Sequence, residues 1–118
     1  MKIITSFALL FAATSILSST SLAKSLTCEL RINQKTVLNK VVNTQKRIKT
    51  LIGQFEGIST YITEKEDGLF ANEGFAPQYE LRFYGEGNLN SNKNKVIASI
   101  WGREILIESI CAPTSVKD

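Results

Sequence analysis

Two cysteines near opposite ends of the chain constrain its fold more than any other feature. Cys28 and Cys111 are the only cysteines among the 118 residues. If they are bonded, the segments around them must be neighbours in space, either side by side or facing each other across a core. Whether they are bonded depends on the compartment, because disulfides persist where the environment is oxidising.

The N-terminal residues have the pattern of a secretory signal peptide. Lys2 supplies a positive charge, a mainly apolar stretch runs to Leu17, and Ser21-Leu22-Ala23 is a small-x-small cleavage sequence. The uninterrupted apolar part is shorter than the roughly 20 residues of a membrane-spanning helix. We therefore expect cleavage after Ala23, an exported domain comprising residues 24–118, and no transmembrane segment after cleavage. Export to a periplasm or out of the cell fits equally well.

An exported chain with an even number of cysteines is expected to pair them. In bacterial lipoproteins a leucine and two small residues precede the lipid-bearing cysteine, whereas Ser25-Leu26-Thr27 precedes Cys28. A lipid anchor would also leave Cys111 without a partner. We therefore predict a disulfide between Cys28 and Cys111. In the chain-entropy model, closing such a long loop stabilises the fold by roughly 4 to 5 kcal/mol.

Alternation of apolar and polar residues predicts short strands along the mature chain. The first strand places Leu26, Cys28, Leu30 and Ile32 on one face. Further strands are predicted at 36–44, 46–52, 55–64, 69–71, 79–84, 96–101 and 103–111, of which 46–52 also fits one helical turn. Polar turns are predicted at 33–35 and, from the Asp67-Gly68 pair, at 65–68. Irregular segments are predicted at 72–78 and 88–95, with a strand break at 85–87.

This spacing of strands and turns is typical of an all-β domain. We predict a single small β-sandwich or β-barrel of about seven to eight antiparallel strands, with the disulfide linking the first and last strands. The pattern does not choose between the sandwich and the barrel.

Charge is unevenly distributed along the chain. Between Lys24 and Thr50 there are seven basic residues and one acidic residue, whereas acidic residues dominate the remainder. A polyanion-binding basic patch is one interpretation, and its candidate residues are Lys40, Lys46, Arg47 and Lys49. The alternative is that opposite charges from the two halves lie side by side. Nucleic acid is not an expected partner, because no strongly basic stripe is interleaved with aromatic residues.

The chain contains no histidine, which excludes Ser-His and Cys-His nucleophile pairs and most zinc sites. We expect no enzymatic activity, no cofactor and no metal. The remaining enzymatic alternative is a carboxylate hydrolase of envelope polysaccharide. For this, Glu104 and Glu108 are predicted to share a face of the last strand, with Glu80 as a further candidate.

Aromatic residues flank the segment predicted to be irregular around Pro77. Phe70, Phe75 and Tyr79 would form a contact patch if exposed, because aromatic residues are enriched at binding hot spots. The alternative is that they pack beneath the segment as an extension of the core. In that case alanine at Phe75 should destabilise the fold as strongly as alanine at Trp101.

The expected function is that of a small exported non-catalytic β domain that binds a protein or an envelope surface component. One alternative is an inhibitor of secreted enzymes that presents a protruding loop, either Asn88–Lys95 or Asn72–Gln78. The absence of N-x-Ser/Thr sequons and the composition rich in Lys, Asn and Ile favour a bacterial source.

Overall fold

Alternation of apolar and polar residues produces eight β-strands in the part of the chain that the structure describes. That part comprises residues 24–91 and 93–114 of a computed structural model. The strands are β1 (Lys24–Ile32), β2 (Lys35–Thr44), β3 (Thr50–Phe55), β4 (Ile58–Glu66), β5 (Leu69–Ala76), β6 (Leu81–Asn88), β7 (Val96–Trp101) and β8 (Leu106–Pro113). A three-residue 3₁₀ helix, Pro77–Tyr79, separates β5 from β6. The predicted signal peptide, residues 1–23, lies outside the described part, in which no helix is long and apolar enough to span a membrane.

The strands form two four-stranded sheets that pack face to face. Sheet A has the strand order β2-β1-β8-β7, and sheet B has the order β3-β4-β5-β6. All strand pairs within the sheets are antiparallel. The molecule is therefore an all-β sandwich of eight strands, which confirms the predicted fold class and selects the sandwich over the barrel.

Tight turns connect the hairpins. Asn33 and Gln34, between β1 and β2, both have positive φ angles (51° and 69°). Glu56 and Gly57, between β3 and β4, have the same combination (48° and 86°). Two consecutive left-handed residues define the type I′ turn, whose twist matches that of the flanking strands. The turns predicted after β1 and at Asp67-Gly68 are both present.

The core consists of the inward-facing side chains of both sheets. One cluster contains Leu26, Cys28, Val42, Ile52, Ile62, Phe70, Val96 and Cys111. A second cluster contains Leu30, Ile58, Ala76, Phe83, Ala98 and Ile107. Because each cluster draws residues from both sheets, burial of these apolar side chains holds the two sheets together.

The predicted disulfide is confirmed. Cys28 of β1 and Cys111 of β8 lie directly opposite each other in sheet A, with a Cα–Cα distance of 4.1 Å, and both are fully buried. The first and last strands are therefore neighbours within one sheet rather than partners across the core. The bond joins two strands whose cysteines are 83 residues apart in the chain.

A glycine stands at each corner where the two sheets meet. At the β6/β7 corner, a Cβ atom on Gly85 would collide with the carbonyl oxygen of Ile97. At the β2/β3 corner, a Cβ atom on Gly53 would lie 2.9 Å from Cδ1 of Leu38. The missing side chains thus let β6 approach β7 and β3 approach β2.

Asn72 connects the two sheets through the core. Its side-chain amide, on β5 of sheet B, donates to the backbone carbonyls of Ser109 (2.8 Å) and Val96 (3.1 Å) in sheet A. Asn72 is completely buried. These bonds satisfy the amide nitrogen, which would otherwise be a costly unpaired donor in the core, whereas the amide oxygen has no hydrogen-bond partner among the described residues.

The prediction of an irregular segment at 72–78 is wrong. Strand β5 continues to Ala76 and pairs residue by residue with both β4 and β6. Phe70, Ala71 and Asn72 are consecutive and all buried. Burial on both faces removes the alternation by which a strand is recognised in a sequence. The strand break predicted at 85–87 is also wrong, because β6 runs through both glycines to Asn88.

Further boundaries differ from the prediction. The strand predicted at 55–64 begins at Ile58, because Phe55 ends β3 and the turn at Glu56 and Gly57 follows it. The strand predicted at 46–52 begins at Thr50, because Lys46 to Lys49 form the connection between the sheets. The last strand begins at Leu106 rather than Arg103. Glu104 therefore lies in the β7–β8 turn, and it does not share a strand face with Glu108.

Candidate functional site

The outer face of sheet B carries the densest cluster of interacting exposed side chains in the described part of the chain. Because side chains alternate across a strand, the outward residues of β4, β5 and β6 form rows across the sheet. Tyr61, Glu73 and Tyr84 form the central row, since Tyr61 pairs with Glu73 and Glu73 pairs with Tyr84. Phe75 and Arg82 are paired in the next row. We call this surface the sheet B outer face.

Two ion pairs lie on the sheet B outer face. The ammonium group of Lys49 is 2.8 Å from a carboxylate oxygen of Glu73. That of Lys65 is 2.8 Å from a carboxylate oxygen of Glu86. These hydrogen bonds raise the pKa of both lysines above the ordinary value. Both lysines are therefore charged at neutral pH.

Tyr84 projects outward from β6, the edge strand of sheet B. Its side chain is 54% exposed, and its hydroxyl donates to Glu86 and accepts from Lys65 at 3.4 Å. The hydrogen bond to Glu86 raises the pKa of the Tyr84 hydroxyl. The pKa of Glu86 is lowered, mainly by the hydrogen bond from Lys65 and to a smaller extent by that from Tyr84. The hydrogen bonds to Lys65 and Glu86 therefore restrict the orientation of the tyrosine ring.

Cations also cover two aromatic rings of this face. The guanidinium of Arg82 lies 4.2 Å from the ring centre of Phe75, and the ammonium of Lys49 lies 5.2 Å from that of Tyr61. Both distances are within the range of cation–π attraction. Of these three aromatic rings, that of Tyr84 is the most accessible to a ligand.

Two shallow, open depressions adjoin Tyr84. One, of about 250 Å³, is lined by Thr63, Lys65, Ala71, Glu73 and Tyr84. The other, of about 190 Å³, is lined by Glu73, Gly74, Arg82, Phe83 and Tyr84. Glu73 and Tyr84 contribute to both. A ligand that occupies both depressions would therefore contact Tyr84 along its length.

Among the described residues, the most exposed large apolar side chain belongs to the other sheet. Trp101, at the end of β7, is 79% exposed. It lies beside the β7–β8 turn, which is closed by a hydrogen bond from Gly102 N–H to the carbonyl of Ile105 (2.7 Å). We call residues 101–105 the β7–β8 tip. The test predicted for Phe75 used Trp101 as its reference for a buried aromatic residue, and the exposure of Trp101 makes it unsuitable as that reference.

The three residues of the predicted aromatic patch occupy three different environments. Phe70 is 1% exposed and belongs to the core. Phe75 is partly buried on the sheet B outer face, beneath Arg82. Tyr79 is exposed in the 3₁₀ helix after β5. The structure therefore does not place these three side chains on one exposed surface.

The four residues of the predicted basic patch lie along the corner between β2 and β3. Lys40 extends over Gly53 of β3, and Lys46 and Arg47 belong to the connection that precedes Lys49. Acidic side chains engage two of the four. Lys46 pairs with Asp67, an interaction that lowers the pKa of Asp67, and Lys49 pairs with Glu73.

A third ion pair between distant parts of the chain joins Lys24 to the buried carboxylate of Glu64, with an N–O distance of 3.2 Å. In all three pairs a lysine from the basic N-terminal part meets an acid from the remainder of the chain. The uneven charge distribution along the sequence is therefore partly balanced in space.

The carboxylates considered for hydrolysis lie apart from the depressions. Glu104 is in the β7–β8 tip, Glu108 is in β8, and Glu80 follows the 3₁₀ helix. The carboxylate that lines both depressions is instead Glu73, which pairs with Lys49. Glu86 pairs with Lys65, a residue of the larger depression. Within residues 24–91 and 93–114, no group of three or more acidic or cysteine side chains is positioned to hold a metal ion.

Sequence reasoning missed Lys65, Tyr84 and Glu86. The alternation at 79–84 does place Arg82 and Tyr84 on one face. It does not reveal which face is outward, or that β4 brings Lys65 to Glu86. Only the register between β4, β5 and β6 contains that information.

Comparisons with known protein families, curated proteins and solved structures find no match to this chain. The functional interpretation therefore rests on the geometry of the sheet B outer face and of the β7–β8 tip.

Proposed function

We propose that the protein is an exported, non-catalytic binding domain whose sheet B outer face recognises a component of the cell envelope surface. The observation that carries this proposal is the position of Tyr84. Its ring is exposed between two depressions, and its hydroxyl is held by Lys65 and Glu86. Tyrosine is among the residues most enriched at binding hot spots, because it offers a large rigid surface and a polar group.

Preorganisation supports binding at this face. Tyr61, Glu73 and Tyr84 stand on three hydrogen-bonded strands, and strands position side chains more precisely than loops do. The ion pairs and ring contacts further restrict the lysine and arginine side chains. Less conformational entropy is then lost when a ligand binds.

The lowered pKa of Glu86 makes it unsuited to act as the general acid of a hydrolase. Glycoside hydrolysis requires one carboxyl group with a raised pKa that donates a proton to the leaving group. Lys65 and Tyr84 instead lower the pKa of Glu86. At neutral pH Glu86 is therefore suited to accepting hydrogen bonds from a ligand rather than to donating a proton.

The proposal is tested by co-sedimentation of purified protein with fragments of bacterial cell envelope. We expect Tyr84→Ala to weaken binding at least about tenfold, the effect of losing a hot-spot aromatic residue. Trp101→Ala is the matched control, because it removes an exposed aromatic residue of the other sheet. Equal binding by the wild type and Tyr84→Ala would contradict the proposal, provided that both have the same melting temperature.

A second candidate function, inhibition of a secreted enzyme, is favoured by the β7–β8 tip. The tip presents Trp101 and Arg103 beside a hydrogen-bonded turn, and both residue types are frequent hot spots. Of the two loops predicted for inhibition, Asn72–Gln78 is mostly strand, and Asn88–Lys95 contains residue 92, outside the described part. If Trp101→Ala abolished binding to a partner and Tyr84→Ala did not, inhibition through the tip would replace the first proposal.

A further inference from the structure

We infer that the ligand of the sheet B outer face is an uncharged oligosaccharide, with sugar rings in the two depressions on either side of Tyr84. This inference rests on the proposed function and specifies its ligand class. It follows from the shape of the site, from the side chains that line it, and from the way in which its charges are paired.

The shape favours a thin, extended ligand. The depressions are open and of similar size, about 250 and 190 Å³, and they share Glu73 and Tyr84. Deep burial of a compact small molecule requires an enclosed pocket of about 300–1,000 Å³. Two adjoining shallow sites instead fit consecutive units of a chain that lies across the sheet.

The lining combines apolar surface with hydrogen-bonding groups, as sugar rings do. The ring of Tyr84 offers a flat apolar wall, and the methyl group of Ala71 also lines the larger depression. Glu73 supplies carboxylate oxygens that accept hydrogen bonds, and Lys65 supplies an ammonium group that donates them. A sugar ring matches this set, because its C–H groups can pack on the aromatic ring while its hydroxyls both donate and accept.

The same face is poorly suited to a protein partner. The centre of a protein–protein interface is depleted of charged residues. Here, five charged side chains lie on the same face as Tyr84. They are Lys49, Lys65, Glu73, Arg82 and Glu86. A protein that covered this face would have to desolvate two ion pairs at its centre.

A polyanion is also disfavoured, because the cations of this face already have partners. Lys49 pairs with Glu73, Lys65 pairs with Glu86, and Arg82 lies over the ring of Phe75. An anionic ligand would have to compete with two carboxylates and would be repelled by them. An uncharged polar ligand can use the same groups without displacing any partner.

The inference is tested by ¹H–¹⁵N NMR titration of the mature protein with three neutral tetrasaccharides: chitotetraose, maltotetraose and cellotetraose. We expect at least one to shift the backbone amides of Ala71, Glu73 and Tyr84 at concentrations up to about 10 mM. Because two depressions are occupied, the corresponding monosaccharide should bind at least about tenfold more weakly. Tyr84→Ala should weaken tetrasaccharide binding by a similar factor, and Trp101→Ala should leave it unchanged.

Salt dependence separates this ligand class from a polyanion. Binding of the neutral tetrasaccharide should change less than about twofold between about 50 and 200 mM NaCl, because no net charge is neutralised. Heparin serves as the polyanion probe. Salt-sensitive binding of heparin at this face, without binding of any neutral tetrasaccharide, would overturn the inference.

The two proposals fail in different ways. If envelope fragments bind in a Tyr84-dependent manner and none of the three tetrasaccharides shifts these amides, the oligosaccharide inference is wrong and the proposed function stands. If the tetrasaccharide binds and Tyr84→Ala binds it equally well, the assignment of the subsites is wrong. If Tyr84→Ala binds envelope fragments as well as the wild type does, the proposed function itself fails.

Discussion

Sheets A and B have the same number of strands and the same antiparallel pairing, but the chain builds them in different ways. Sheet B is one continuous meander from Thr50 to Asn88, and each of its pairs is a local hairpin. Sheet A joins β1 and β2 to β7 and β8, which come from opposite ends of the described chain. The disulfide lies at the β1/β8 seam, where the most distant segments meet. The comparison shows that the covalent constraint serves sheet A, whereas sheet B is held by local contacts.

The outer faces of the two sheets also differ. The outer face of sheet A exposes apolar side chains such as Val41, Ile97 and Trp101. The sheet B outer face also exposes one apolar side chain, Leu51 of β3, but its other strands carry Tyr84 within a set of paired charges. The locally built sheet is thus the one that bears the proposed binding site. The following changes test this division of roles, from the largest expected effect to the smallest.

Replacing both cysteines, Cys28→Ala with Cys111→Ala, should lower the free energy of unfolding by up to about 5 kcal/mol. The bond closes a long loop and thereby restricts the unfolded chain. Urea unfolding measures this loss, and reduction of the wild type provides a control without substitution. Native-state hydrogen exchange should show β1 and β8 opening more easily than β4 and β5. Equal loss of protection in both sheets would contradict the comparison.

Asn72→Ala should destabilise the sandwich by about 1–3 kcal/mol, because two carbonyls of sheet A lose a buried donor. Thr60→Val is the matched control. Thr60 is equally buried, and its hydroxyl has no hydrogen-bond partner among the described residues. Replacing it with a side chain of the same shape should be nearly neutral or stabilising. Urea unfolding of both variants distinguishes a specific link between the sheets from general sensitivity of the core.

Trp101→Ala should change the free energy of unfolding by less than about 1 kcal/mol, because the side chain is mostly exposed. Phe70→Ala is the contrasting variant, and it should cost about 3–5 kcal/mol as a fully buried aromatic residue. Thermal unfolding of the two variants measures the difference. Comparable losses would mean that the β7–β8 tip belongs to the core of sheet A.

The smallest expected effect is a pH dependence of the stability that the Lys65–Glu86 pair of the sheet B outer face contributes. Because the folded-state pKa of Glu86 is lowered, its stabilising contribution is complete above its unfolded pKa and is lost as the pH falls through the folded value. The raised pKa of Lys65 acts in the opposite direction, and its contribution is lost only as the pH rises through that value. The melting temperatures of the wild type and Glu86→Gln should therefore converge in acid. A constant difference down to about pH 3 would contradict the pairing.

The strand pattern could be predicted because alternation is a local property of the sequence. The disulfide could be predicted because the chain has only two cysteines and the pattern of an export signal. The alternation from Leu26 to Ile32 predicts β1, and Asp67-Gly68 predicts a hairpin. Strand β5 could not be delimited, because Ala71 and Asn72 are buried on opposite faces. Because both faces of β5 are buried at this point, the sequence shows no alternation of apolar and polar residues at positions 70–72.

The candidate site could be predicted only in fragments. Phe75 and Lys49 were singled out, each for a different reason, but nothing in the sequence shows that both lie on one face with Tyr84. That arrangement depends on cross-strand register, which places Tyr61, Glu73 and Tyr84 in one row. The exposure of Trp101 was likewise hidden, because it results from its position at the end of β7 beside a turn.

The central claim, that the sheet B outer face is the binding surface, is tested most directly by hydrogen–deuterium exchange of the protein bound to envelope fragments. We predict slower exchange in peptides from β4 to β6, residues 58–88, and unchanged exchange in the β7–β8 tip. Protection confined to residues 101–105, with β4 to β6 unchanged, would contradict the account.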